Sequence, residues 1–106
     1  MKDCLLILIV NQELEDTIVD LLLTRAEIST FTQQEVRSFS RDHANFSVME
    51  QVTGRQRRLM FQVRTSEHSA VELLRGLRRD LPGAEIESWL MPLLKTDTGE
   101  YGAPAS

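Results

Sequence analysis

The sequence predicts an α+β fold, the ferredoxin-like split βαβ sandwich (β-α-β-β-α-β), in which a four-stranded antiparallel sheet carries two helices on one face. Three observations point there. An unbroken apolar run stands near the N-terminus, two segments place apolar residues at helical spacing, and the remaining apolar segments are strand-like. Their order is strand, helix, strand, strand, helix, strand. At 106 residues the chain holds one domain, 1–106, because a second core would lack material.

Residues 4–10 (CLLILIV) are rich in branched side chains and read as a central strand buried on both faces. Asn11 is placed to cap the next segment. Glu13, Glu15 and Asp16 favour a helix N-terminus, and Leu14, Ile18, Leu21 and Leu22 recur at helical spacing to an end near Arg25. Residues 31–41 (FTQQEVRSFSR) alternate as a half-covered strand does. Residues 41–54 (RDHANFSVMEQVTG) keep no period and end in Thr-Gly, which marks an exposed excursion between two strands. Residues 57–64 (RRLMFQVR) alternate again, with Leu59, Phe61 and Val63 on the core face.

Ser69 and Glu72 have the spacing of a capping box, and Val71, Leu74, Leu77 and Leu81 fall on one helical face before Pro82-Gly83 stops the helix. Residues 84–94 (AEIESWLMPLL) form the last strand. Pro92 cannot donate a ladder hydrogen bond, so it belongs at an edge, a bulge or a strand end. From Lys95 the chain becomes a polar tail, expected to be mobile. The fold leaves one sheet face bare, with Met60, Gln62 and either Trp89 and Met91 or their alternates as candidates for it. An amphiphilic face of that kind usually takes a partner chain.

Composition excludes several function classes. Hydrophobic residues at 42% and charged residues at 26% are ordinary for a globular domain. No apolar run approaches the ~20 residues that span a bilayer, and Asn11-Gln12-Glu13 interrupts the first run where a secretory signal would continue. A single cysteine fits a reducing compartment, so a cytoplasmic location without membrane insertion is expected. The net charge of −4 argues against nucleic acid as a partner. That total hides an asymmetry: residues 1–30 carry 2 basic and 6 acidic groups, residues 31–66 carry 6 and 3, and residues 67–106 carry 4 and 7. The cations of the middle third are all arginine (Arg37, Arg41, Arg55, Arg57, Arg58 and Arg64), whose planar head suits bidentate contact with phosphate or carboxylate.

For catalysis nothing assembles. There is no G-x-S-x-G elbow, no H-E-x-x-H and no phosphate loop of the G-x-x-x-x-G-K-[ST] type, and the chain has only two histidines. Glu85 and Glu87 share a strand face, as solvated residues also do. Among soft or borderline metal ligands, Cys4 lies in the buried run, His68 stands at a helix start, and Met49, Met60 and Met91 have no ligand spacing. His43 beside Asp42, together with Glu50, makes the best metal candidate. Arg55, Arg57 and Arg58, with Gly54 allowing close backbone approach, are the candidate anion contacts. Their plainer alternative is ion pairing between subunits with Glu50, Glu85 or Glu87.

Within residues 41–62, the string Glu50-Gln51-Val52-Thr53-Gly54-Arg55-Gln56-Arg57-Arg58 resembles PII-like proteins. The chain resembles in particular a proteobacterial branch of that superfamily catalogued as a domain of unknown function (DUF3240-like). The likeness runs from about Cys4 to Leu94 and includes the loop His43-Ala44-Asn45-Phe46-Ser47 and Leu81-Pro82-Gly83-Ala84 before the strand with Trp89. The resemblance implies a homotrimer with bare sheet faces turned inward, ligand clefts between subunits, and a signalling protein rather than an enzyme. It implies ligand contact by Arg41, Gly54, Arg55, Arg57 and Arg58, and partner contact by His43, Asn45, Ser47, Glu50 and Gln51. Members of the branch are often encoded beside heavy-metal efflux pumps, which implies a protein partner of the membrane-transport kind. Residues 80–84 read DLPGA where nucleotide-binding PII proteins are rich in Gly and Lys, so an adenine nucleotide and a divalent metal ion both stay open as ligand. The alternative function is a divalent-metal-binding accessory protein for metal tolerance, with His43 and Glu50 as ligands.

Overall fold

A computed structural model describes residues 3–28, 30–39 and 55–94, the side chains of Arg55 and Gln56 excepted. Strand β1 (Asp3–Asn11) leads through a single 3-10 turn (Gln12–Leu14) into helix α1 (Glu15–Leu23). Strands β2 (Thr30–Phe39) and β3 (Arg55–Ser66) follow, then helix α2 (Glu67–Asp80) and strand β4 (Glu87–Pro92). The four strands form one sheet in the order β2-β3-β1-β4, and every neighbouring pair is antiparallel. This is the split βαβ arrangement that the element order predicts.

The strand pleat decides what the sheet offers. In β1, Cys4, Leu6, Leu8 and Val10 are buried while Leu5, Ile7 and Ile9 between them are half-buried. The first set meets Leu59, Phe61 and Val63 of β3 across the ladder, and Ile18 and Leu22 of α1 with Ala70, Leu73 and Leu77 of α2 close over them. The second set lies on the face away from both helices, which no described helix covers, in register with Met60 and Gln62 of β3 and with Trp89 and Met91 of β4. Burial of residues 4–10 on both faces is therefore corrected. The strand is central, but both helices pack on one side, which leaves the other side half covered.

Local chemistry accounts for the element ends. Ser66, in extended conformation, accepts the backbone N–H of Ser69 at 3.2 Å and caps α2, so the helix begins three residues before the Ser69 cap expected from sequence. The Ser69 hydroxyl instead accepts from Ser66 Oγ at 3.1 Å. The buried stripe runs over Ala70, Leu73, Gly76 and Leu77; of the expected face only Leu77 is buried, Leu74 and Leu81 flank the core, and Val71 is half-buried outside it. Asn11 precedes the 3-10 turn without making a side-chain cap bond. The last strand is shorter than residues 84–94, and Pro92 ends it on the sheet edge. Strand β2 is the other edge. Only Phe31 reaches the core, tilted 45° against Phe61 with ring centroids 6.4 Å apart, while Gln33 Nε2 donates to Glu15 Oε2 at 2.7 Å and ties β2 to α1.

Two stability outcomes follow. Phe61→Ala empties the centre of the sealed layer and should cost about 3–5 kcal/mol in urea unfolding. Ser66→Ala should cost about 1 kcal/mol, and Ser69→Ala less, because the first hydroxyl is the cap.

Candidate functional site

The arginine-rich third of the chain surrounds the point where β2 gives way to residues 40–54 and β3 begins. Antiparallel pairing sets Phe39 opposite Arg55, Arg37 opposite Arg57 and Val36 opposite Arg58. Successive strand residues point to opposite faces, so Arg57 and Arg58 cannot grip one ligand from one side of one chain. Arg57 is exposed on the face that the helices cover further along the sheet. Arg58 is only 8% exposed and stands on the uncovered face, in register with Asn11 of β1. Arg55 opens β3, and its side chain lies outside the described residues.

Around Arg57 there is a shallow cleft of about 580 Å³ lined by Glu35, Val36, Arg37 and Arg57. Like charges directly opposite on a ladder repel each other. Glu35, two residues before Arg37 on the same strand face, puts a carboxylate beside the two guanidinium groups, and an anionic ligand would do the same more fully. The sequence places Arg37 among the arginines of the middle third, but it marks neither Arg37 nor Glu35 as a member of this cleft. The alternation of residues 31–41 places them on one face, but only the strand register sets Arg37 against Arg57.

Arg58 Nη2 lies 4.0 Å from Glu85 Oε2, in the connection between α2 and β4. The pairing anticipated between subunits for Glu85 is thus present within one chain. Glu87 accepts a hydrogen bond from Trp89 Nε1 at 3.1 Å, so Glu85 and Glu87 engage different partners. The turn at 80–84 is closed by Leu81 N–H on Leu77 O at 2.8 Å and Ala84 N–H on Leu81 O at 3.1 Å.

Several sequence candidates lie outside the described residues: Arg41, His43, Asn45, Ser47, Glu50, Gln51 and Gly54. Among the described residues no group of three or more His, Cys, Asp or Glu comes together to hold a metal ion. Cys4 is buried against the core, and His68 is exposed in the first turn of α2. No described helix is long and apolar enough to cross a membrane.

Comparison with known proteins bears on this geometry. The family described as a protein of unknown function, DUF3240, matches residues 1–100. Among solved structures, a DUF3240 family protein from Shewanella baltica superposes with a TM-score of 0.73 at 23% identity, over 91% of this chain and 94% of that one. CPII, a nitrogen regulatory PII-like protein from Thiomonas intermedia bound to ADP, AMP and bicarbonate, gives 0.65 at 15% identity over 88% and 93%. CutA from Synechococcus elongatus, complexed with a Bis-Tris molecule, gives 0.64 at 17% identity over 87% and 80%. No curated protein matches the sequence. At these identities the structures share a fold with this chain.

The Arg58 site makes an asymmetric prediction. Arg58→Ala, which empties a nearly buried position and strands its neighbours, should destabilise by about 1–3 kcal/mol in chemical denaturation. Glu85→Ala should cost under about 1 kcal/mol, because its carboxylate stays half in water and the contact is long.

Proposed function

The chain belongs to the DUF3240 family, and on that premise we propose that it is a PII-like regulatory protein: a homotrimer that senses a small ligand and acts on a partner protein. The observation that carries this reading is the concentration of guanidinium groups where β2 and β3 enter residues 40–54. Arg37 and Arg57 are paired across the ladder beside a cleft, an arrangement suited to contact with an anion. The ligand we favour is an adenine nucleotide. CPII, which shares the fold, is bound to ADP, AMP and bicarbonate. In this reading Arg57 contacts phosphate with Arg41, Gly54 and Arg55, while Arg58 braces the start of β3 through Glu85.

The uncovered sheet face supports the oligomer. Leu5, Ile7 and Ile9 of β1 line up with Met60 of β3 and with Trp89 and Met91 of β4, and Trp89 remains 56% exposed in a single chain. An apolar strip of that extent is stabilised by pairing with copies of itself, and three such faces turned inward would seal it. His43, Asn45, Ser47, Glu50 and Gln51 are the residues we assign to contact with a protein partner. We place that partner in a membrane transport system for heavy metals, with this protein acting from the cytoplasm.

Two measurements test the reading. Light scattering should give three subunits for the wild type and one for Ile7→Arg, with the far-UV circular dichroism of both unchanged. A monomeric wild type would remove the trimer. Thermal melts with ATP, ADP, AMP, bicarbonate, zinc, copper and nickel added separately should show a rise with an adenine nucleotide, by the equivalent of about 2.7 kcal/mol at a hundredfold excess over Kd, and a loss of that rise in Arg57→Ala. A rise with a metal alone, abolished by His43→Ala, would replace this reading with that of a metal-binding accessory protein using His43 and Glu50.

A further inference from the structure

A second polar cavity lies at the opposite end of the sheet, where β1 and β2 begin, β3 ends and α2 starts. It measures about 560 Å³, and Asp3, Glu27, Arg64, Thr65, Ser66 and Ser69 are in its wall. Two of the charged groups are already paired: Arg64 Nη2 donates to Asp3 Oδ2 at 3.2 Å. Thr65 is the informative residue. It is only 7% exposed, yet no described residue hydrogen-bonds its hydroxyl, and among the described residues no side-chain polar atom is sealed in without a partner. The Thr65 hydroxyl is therefore accessible at the cavity, where it can donate one hydrogen bond to a ligand.

The wall is electrically divided. On one side stands the first turn of α2, a helix of 14 residues, whose leading N–H groups carry partial positive charge. The Ser66 hydroxyl donates to Ser69 Oγ, which leaves the proton of Ser69 to point elsewhere. Together with Thr65 these groups donate hydrogen bonds and suit a carboxylate. On the other side stands Glu27, which accepts a hydrogen bond from Arg25 Nη1 at 3.3 Å and whose carboxyl its own backbone amide and Arg25 hold below the usual range, with carboxylate capacity to spare for a cation. A lone anion would meet Glu27 and Asp3, and a lone cation would meet the helix N-terminus and Arg64. A small molecule carrying both charges meets neither penalty.

We propose that this cavity binds a free α-amino acid, its carboxylate on the Thr65 and Ser69 hydroxyls and the start of α2, and its ammonium on Glu27. The site is separate from the arginine-rich end and does not depend on the function proposed for it. It lies at the end of the β1–β3 ladder opposite to Arg58.

The experiment uses the full-length protein and the common L-amino acids at millimolar concentration, followed by thermal melts and by 15N–1H correlation spectra. At least one amino acid should raise the melting temperature and shift the backbone amides of Thr65 and Ser69. Its N-acetyl and carboxamide derivatives, each missing one charge, should do neither. Thr65→Val keeps the shape of the buried side chain and should weaken the effective amino acid about tenfold, as should Glu27→Gln. If no amino acid in the set moves those amides, or if the N-acetyl derivative binds as well as its parent, or if Thr65→Val binds undiminished, the assignment is wrong. Should Thr65→Val fail to fold, Ser69→Ala with the two blocked derivatives decides the question on the same terms.

Discussion

The structure depends on one strand having two different faces. In β1, Leu6, Leu8 and Val10 lie under both helices and Leu5, Ile7 and Ile9 do not, and this difference comes from the alternation of side chains along extended backbone. Because β1 occupies a central position between β3 and β4, its register imposes the same division on them. A slip of one residue in either ladder would carry Phe61 or Trp89 to the wrong side. The helices, the cores they seal and the open apolar face all follow from that single phase.

The same alternation separates residues that the sequence places together. Arg57 and Arg58 are neighbours in the chain and stand on opposite faces of the sheet, one beside Arg37 and Glu35, the other nearly buried near Glu85. Their roles differ for that reason. A guanidinium with little water must be satisfied by the protein itself, and Arg58 thereby ties the start of β3 to the segment before β4.

The two ends of the sheet also differ in chemistry. At the β2–β3 end, arginines outnumber carboxylates around the cleft. At the other end, hydroxyls, a helix N-terminus, an ion pair and Glu27 enclose a cavity of mixed charge. Each edge strand is managed differently as well: β4 stops at a proline that cannot extend the ladder, and β2 carries mainly polar residues, with one aromatic anchor in the core.

By itself the sequence determined the element order, and with it the fold, because an apolar run, two helical periods and alternating strands in that order leave few ways to cover a sheet. It also showed the core residues Leu59, Phe61 and Val63, the confinement of Pro92 to an edge, a bulge or a strand end, and the arginine-rich middle, since each depends on residue type and local spacing. Tertiary structure decided the rest. Ser66 rather than Ser69 caps α2, because β3 runs on to Ser66, and packing against the sheet decides that Ala70, Leu73 and Leu77 rather than Val71 and Leu74 are buried. Only the strand register could set Arg37 against Arg57, bring Arg58 to Glu85, and enclose Asp3, Glu27 and Thr65 around one cavity. These residues lie far apart along the chain, and no local period encodes the distance between them.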